Sequence, residues 1–393
     1  MKILCLIDNL GSGGAQRQMA TLAVQLKKLG VDVSVLTYHP HDFFLPLLRE
    51  AGIEYHCIES RSLWHRLGAI RRILRRGDQD VVLAFLDGPV LYAELAAIPW
   101  RRWGLVVSER NAVPSATHPH LAWLRQFHRI ADYVTTNSHT NRLMLEHSVP
   151  SLKGRTVTIY NAVDLDAFTP APEPRNRDAR RFQMVVAASY WHQKNPTRFI
   201  EGIALVRARL PQVEIRLDWY GKSPRRKDGT SDTTVYDEAC RMVHAHGLED
   251  CVHLNSDRSS IHEAYWTADA VVLPSLYEGL PNTICEAMAC ARPVLMSDVC
   301  DAGNMVQDGH NGFLFDPLLP ESMALAIIRM AGLSPEQREG MGHEGRVMAE
   351  RMFDPAVVAG HYAHVLQAAA ERKRVSLEHW IPNVPESALQ SWM

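Results

Sequence analysis

No apolar run in this chain approaches the ~18 residues that a membrane span needs, so no spanning helix is expected. Its seven cysteines (5, 57, 240, 251, 285, 290 and 300) are odd in number and scattered, with no C-x-x-C among them. That usage favours reduced thiols in a cytosolic compartment over a disulfide framework. There is no H-E-x-x-H and no close Cys/His cluster, so no metal site is expected. No long low-complexity tract is present, and no repeat beyond a likeness of the two halves. The start, Met1-Lys2-Ile3-Leu4-Cys5-Leu6-Ile7-Asp8, meets an acid too early for the apolar core of a secretory signal and reads as a first strand.

What is present describes an ordinary globular protein. Hydrophobic residues make up 46% and charged residues 22% of 393 positions, a length that two domains naturally share. The formal net charge of −2 hides an asymmetry: residues 1–170 carry 19 Lys+Arg against 15 Asp+Glu, and the remainder 23 against 29. A basic amino-terminal half either faces an anionic partner or reflects scatter. No nucleic-acid partner is expected.

Short β-rich runs alternate with helical stretches. The strand candidates are Lys2–Ile7, Val31–Thr37, Asp80–Leu86, Leu105–Ser108, Tyr133–Asn137 and Thr156–Tyr160, then Phe182–Ala188, Glu214–Trp219, Cys251–Leu254, Ala270–Leu273 and Pro293–Ser297. This alternation implies parallel, doubly wound sheets of the α/β class. Met19, Leu22, Ala23, Leu26 and Leu29 mark the first helix, and Gly30 is placed to stop it. Pro170, Pro172 and Pro174 cannot join a helix or a central strand, so 169–181 reads as a linker between domains at 1–168 and 182–353. Asp354-Pro355 can cap a last helix whose apolar stripe runs from Val357 to Ala369, within a segment 354–393.

The most informative segment is Glu278-Gly279-Leu280-Pro281-Asn282-Thr283-Ile284-Cys285-Glu286. The buried-strand pattern Ala270–Leu273 precedes it, and a helix from about Thr283 follows, with Pro281 and Asn282 at its start. Glu278 then lies at a strand's carboxyl end, the edge where open α/β sheets bind ligands. The helix start offers free N–H groups and partial positive charge to a phosphate. Two acceptor-only carboxylates suit a ligand rich in hydroxyls. Together these describe a nucleotide sugar.

Ser275-Leu276-Tyr277-Glu278-Gly279-Leu280-Pro281-Asn282 through Glu286-Ala287-Met288-Ala289-Cys290-Ala291-Arg292-Pro293-Val294 resembles the signature of the GT-B retaining glycosyltransferases of family 4. The resemblance covers nearly the whole chain and is strongest from about Val185 to Asp316. It implies two Rossmann-like domains with a cleft between them, and a carboxyl-terminal helix that crosses back to the first. It implies that Glu286 accepts hydrogen bonds from the ribose, that Glu278 contacts the donor sugar near the reacting carbon, and that Gly279, Leu280, Pro281, Asn282 and Thr283 contact the diphosphate or the sugar.

Three further segments belong to this reading. Lys194, in Ser189-Tyr190-Trp191-His192-Gln193-Lys194-Asn195-Pro196, lies at a strand carboxyl end where it can neutralise a diphosphate leaving group, with Asn195 as N-cap and Pro196 at N1. The family carries an arginine where this chain has Ser189, so a second cation has to come from elsewhere, with Arg198 a candidate. The glycine loop Gly11-Ser12-Gly13-Gly14 lacks the third glycine of a dinucleotide fingerprint, which disfavours an oxidoreductase. It resembles the family loop near the sugar and acceptor, placing Gly13 and Gly14 there, although a merely structural turn fits it too. On the acceptor side, Glu109 and Arg110 follow a strand, and His118 is the nearest histidine to the region where many members carry one. Downstream, Asp298-Val299-Cys300-Asp301-Ala302-Gly303-Asn304 departs from the family pattern, so no contacts carry over there. Asp164-Leu165-Asp166 spells a D-x-D in the wrong context for a metal site.

The expected activity is metal-independent, retaining transfer of a hexose or N-acetylhexosamine from a nucleoside-diphosphate sugar, UDP over GDP. The nucleotide sugar is a co-substrate, and no cofactor is expected. The implied acceptor is a lipid-linked glycan at the cytosolic membrane face, in cell-surface polysaccharide assembly. Residues 61–76, with six arginines around Leu63, Leu67, Ile70 and Leu74, fit a peripheral contact with anionic lipid. They fit an ordinary surface helix as well. Alternative readings are a sugar-nucleotide epimerase, a phosphorylase, or a non-catalytic nucleotide-sugar-binding module.

Overall fold

The structure is a computed structural model describing residues 1–60, 62–110, 119–172, 180–223 and 230–373. The chain forms two compact units, one from Met1–Ala162 with the described chain from Phe353 onward, the other Val163–Met352.

The first unit is built on a parallel seven-stranded sheet. Its strands are β1 (Lys2–Leu6), β2 (Asp32–Thr37), β3 (Glu54–Cys57), β4 (Val81–Phe85), β5 (Gly104–Glu109), β6 (Tyr133–Thr136) and β7 (Thr156–Thr158), in the order β3-β2-β1-β4-β5-β6-β7. Every residue of β4 and β5 is buried, as strands covered on both faces must be. One face carries Ile3, Cys5, Leu83 and Val106 against helices Gly14–Lys28 and Pro355–Ala370. The other carries Leu4, Val82 and Leu105 against Ile70, Leu74, Ala93 and Ala96. The last helix, capped by Asp354 as its sequence implies, seats Tyr362, Val365 and Ala369 in the first face. Gly104 allows that approach, because a Cβ there would lie 2.5 Å from the Ala369 carbonyl oxygen.

The second unit repeats the plan with six parallel strands. They are β8 (Arg181–Ala187), β9 (Glu214–Tyr220), β10 (Val252–Asn255), β11 (Ala270–Leu273), β12 (Val294–Ser297) and β13 (Gly312–Phe315), in the order β10-β9-β8-β11-β12-β13. One device recurs in both sheets. Asp80, Asp132 and Asp269 each stand just before a strand and accept the N–H of Lys2 (2.7 Å), Leu105 (2.7 Å) and Gln183 (2.8 Å) on a neighbouring strand.

In each sheet the strand order reverses beside the first strand, so the loops after β1 and β4, and after β8 and β11, flank a topological switch point. That is where an open α/β sheet offers a crevice. The loop after β8 carries Lys194 and the loop after β11 carries Glu278.

Two details differ from the sequence reading. Strands β3 and β13 are only four residues long, β3 being half polar as well, and were not anticipated. The sequence pattern ends the first domain at 168, whereas packing ends the unit at Ala162. Trp266 Nε1 donates to the Thr169 carbonyl (2.7 Å) and Arg346 to that of Phe168 (2.9 Å), which ties this stretch to the second unit. Helix Leu63–Arg76 directs Leu67, Ile70 and Leu74 toward the core of the first unit, as the surface-helix reading of residues 61–76 expects. Its apolar stripe is therefore largely spent on protein. Leu63, Trp64 and the neighbouring Trp100 remain exposed.

Candidate active site

In the second unit, the Lys194 ammonium donates to Oε1 of Glu278 and forms an ion pair with it. Glu278 is buried and Lys194 only partly exposed. Two further bonds staple the loops together: Leu276 N–H donates to the Gln193 carbonyl (2.8 Å), and Gln193 Nε2 to the Tyr277 carbonyl (2.7 Å). An ammonium has three donors, so the pairing leaves Lys194 able to meet a second anion. Gly279, Leu280 and Pro281 lead from Glu278 to helix Asn282–Ala289, whose N-cap position is Pro281 with no side-chain cap. Thr283 Oγ1 donates to the Ala187 carbonyl at the end of β8 (2.8 Å), which seats this helix start beside the Lys194 loop. Its first N–H groups are the kind that bind phosphate oxygens. Glu286 lies one turn on, half-buried near Tyr265, Cys285 and Cys290.

Asn195 does not cap by its side chain as its sequence position suggests. It adopts the left-handed conformation (φ 58°) and its side-chain amide donates to the Pro317 carbonyl (2.7 Å). Its Oδ1 accepts from Arg198 (3.3 Å), which holds that guanidinium one turn beyond Lys194. Beyond β9 and β10, a cavity of about 430 Å³ is lined by Tyr190, Lys222, Thr233, Tyr236, Asn255 and Asp257. Apart from Tyr190, which lies in the Lys194 segment, these residues carry no motif, and the sequence reading missed them.

In the first unit, the glycine loop is anchored by Asp8, whose carboxylate accepts from Asn9 N–H (2.7 Å) and Gln16 Nε2 (3.0 Å). Gly13 caps helix Gly14–Lys28 at an ordinary φ of −74°, so its glycine is not required for backbone conformation.

Glu109 ends β5 inside a buried charge cluster. It pairs with Arg125 (3.2 Å) and His128 Nε2 (3.3 Å), while His128 Nδ1 pairs with Glu94 (2.7 Å). All four side chains are buried. Burial alone would lower the His128 pKa, but hydrogen bonds to Glu109 and Glu94 outweigh it and push the pKa up to about 9. Burial also acts to raise Glu109, yet His128 and Arg125 hold its carboxyl below the usual range. Burial raises Glu94. Glu109 is thus committed to the cluster.

Arg110 is free of any carboxylate among the described residues. It donates to Tyr362 (3.4 Å), to Ser108 (3.5 Å) and to Asn161 Oδ1, and its guanidinium lies 4.5 Å from the centre of the Phe85 ring. Burial lowers its pKa. His118 lies outside the described residues. Among those residues no group of three or more His, Cys, Asp or Glu is placed to hold a metal ion. In the D-x-D segment, Asp164 Oδ1 accepts the N–H groups of Asp166 (3.1 Å) and Ala167 (3.0 Å), a local turn.

Two family profiles match: Glycosyltransferase Family 4 over residues 12–167 and Glycosyl transferases group 1 over residues 181–332. The chain belongs to the group 1, family 4 glycosyltransferases, a GT-B family of retaining, metal-independent enzymes. It is 28% identical over 187 residues to a D-inositol 3-phosphate glycosyltransferase of Arthrobacter sp. (strain FB24), covering 43% of this chain and 42% of that protein. The chain thus spans less than half the length of that relative. It is 24% identical over 326 residues to the Campylobacter jejuni GalNAc-alpha-(1->4)-GalNAc-alpha-(1->3)-diNAcBac-PP-undecaprenol alpha-1,4-N-acetyl-D-galactosaminyltransferase, covering 80% of this chain and 84% of that protein. A crystal structure of Anabaena Alr3699/HepE in complex with UDP superposes with a TM-score of 0.79 at 20% identity, covering 94% of this chain and all of that one. That likeness shows the fold. No described helix is long and apolar enough to cross a membrane.

Proposed function

We propose that this chain transfers a hexose or N-acetylhexosamine from a UDP-sugar to a lipid-linked glycan, with retention at the anomeric carbon. One observation carries the donor half of this reading: the Lys194–Glu278 pair sits at the switch point of the second sheet, beside the start of helix Asn282–Ala289. The hard step is expelling the diphosphate while positive charge grows on the sugar. Lys194 and the N–H groups of Gly279, Leu280, Asn282 and Thr283 meet the leaving charge in preset positions, the arrangement that stabilises a transition state most. Arg198 is the second cation where the family arginine is replaced by Ser189. Glu278 faces the sugar, and Glu286 accepts from the ribose hydroxyls. No step requires a protein nucleophile. By analogy with the family, the acceptor hydroxyl attacks from the face the diphosphate leaves, giving its proton to a phosphate oxygen.

The first unit supplies the acceptor groups: Gly13 and Gly14 of the loop, and Arg110. Glu109 acts through the cluster that holds the end of β5. The lipid-linked acceptor is favoured by the Campylobacter relative, whose named acceptor is undecaprenol-linked. The exposed Leu63 and Trp64, the exposed Arg72 and Arg76, and Trp100 stacked with Arg75 are residue types suited to an anionic bilayer surface.

A thermal-shift panel of nucleotides and nucleotide sugars tests the reading, since a ligand that binds only the folded state raises its melting temperature. UDP-sugars are expected to raise it, and Lys194→Ala to remove most of the diphosphate-dependent part. Turnover is expected to survive EDTA. Loss of turnover with chelator, or an unchanged shift in Lys194→Ala, overturns the proposal.

A further inference from the structure

Cys300 lies in the segment after β12 where the family pattern breaks down, and nothing in the sequence gives it a task. In the structure it meets the candidate sugar-contacting acid at its backbone. The Glu278 N–H donates to the Cys300 sulfur (3.1 Å), and the thiol donates back to the Glu278 carbonyl. One side chain therefore satisfies both peptide groups of a residue in an irregular, buried loop, where unpaired backbone groups are costly. Cys300 holds this position in the left-handed conformation, φ 53°, which side-chain-bearing residues adopt only under strain that the surroundings maintain. Burial pushes the thiol pKa up to about 12, so it stays protonated and able to donate at neutral pH.

We infer that Cys300 is a positioning residue for donor-sugar recognition, clasping the Glu278 backbone so that its carboxylate is presented beside Lys194. The inference rests on the reading of Glu278 as the sugar-contacting acid. Cys300 would then act through the Glu278 backbone.

The left-handed backbone makes a clean test available. Glycine adopts that conformation without strain, so Cys300→Gly removes the clasp while relieving the backbone. Serine keeps a hydroxyl that both donates and accepts. The probes are UDP and whichever of UDP-glucose, UDP-galactose, UDP-GlcNAc and UDP-GalNAc raises the melting temperature most. Cys300→Gly is expected to stay folded and to bind UDP as the parent does. It should lose roughly tenfold or more of the extra affinity conferred by the sugar, and a similar factor in kcat, as a slightly misplaced catalytic contact does. Cys300→Ser should recover part of both. Glu278→Gln is the companion: it should lose the sugar-dependent affinity whatever stands at 300. If Cys300→Gly keeps the full UDP-sugar preference while Glu278→Gln loses it, the clasp is irrelevant and the inference is overturned. If Glu278→Gln also keeps it, or no UDP-sugar outperforms UDP, the functional reading falls and the inference with it.

Discussion

Lys194 and Glu278, 84 positions apart in sequence, form one ion pair that joins the loop after β8 to the loop after β11. Removing one partner strands the other charge in a largely dry position, which costs about 3 kcal/mol, whereas removing both costs far less. Lys194→Met and Glu278→Gln should therefore each lower the urea midpoint, and the double variant should lie closer to the parent than their sum. A double-mutant cycle by urea denaturation measures this. Strict additivity would show that the pair is not coupled.

Glu286 separates from that pair by ligand. If it accepts from the ribose, Glu286→Ala loses a charge-assisted bond, about 1.5–3 kcal/mol or roughly tenfold to a hundredfold in affinity. The loss should appear for uridine as well as for UDP. Lys194→Ala should weaken UDP and leave uridine alone. Calorimetry with the two ligands distinguishes them, and equal losses for both variants on both ligands would refute the division of labour.

Much of this was legible in the sequence, for physical reasons. Buried parallel strands must be apolar on both faces, so β1, β4, β5, β8 and β11 announce themselves. The Glu278–Glu286 segment was legible because strand, loop and helix start follow one another without a gap. Strand β3, Glu-Tyr-His-Cys, was not, because an edge strand half open to water carries no such run. The buried charge cluster was not legible either. Glu94, Glu109 and the neighbouring Arg125 and His128 come from three places in the chain, and each residue type read singly belongs on a surface. Asn195 was placed correctly at a helix start, but its left-handed backbone and its bond to Pro317 depend on tertiary contacts.

That cluster predicts a pH dependence. His128 has its pKa raised from 6.5 to about 9, so the folded chain holds a proton that the unfolded chain releases. The associated stability is present in full below pH 6.5 and is lost as pH rises through 9, up to about 3 kcal/mol. Glu94, raised by burial, acts in the same direction, because its folded form also favours the proton. Glu109 is lowered, so its contribution is present above its ordinary value and is lost only as pH falls through the folded one. Urea midpoints should thus drop between pH 7 and 9.5, and His128→Gln should flatten the slope. An equal slope in parent and variant would contradict the assignment.

Arg110 predicts an acceptor-specific defect. Its guanidinium is held by Asn161, Ser108 and Tyr362, with no carboxylate partner among the described residues. A cation so placed favours an anionic or hydroxyl-rich ligand. Arg110→Lys should raise the acceptor KM roughly tenfold, with the KM for the donor unchanged. Steady-state kinetics with each substrate varied in turn checks this. A rise confined to the donor KM would move Arg110 to the other half of the reaction.

Gly104 tests how the last helix is held to the first sheet. A Cβ at this position would lie 2.5 Å from the Ala369 carbonyl oxygen and 2.6 Å from its carbon, both backbone atoms that no rotamer change can move aside. Either β5 or the end of helix Pro355–Ala370 must shift. The helix end is also tied by Tyr133, which donates to the Lys373 carbonyl (2.6 Å), and by Arg372, which donates to the Arg101 carbonyl (2.8 Å). Gly104→Ala should therefore destabilise the first unit by about 1–3 kcal/mol, the usual cost of overpacking. Amide exchange should rise in Val365–Ala369, and little should change in β8 to β13. An unchanged urea midpoint would mean that the helix sits farther from β5 than the contact with Ala369 requires.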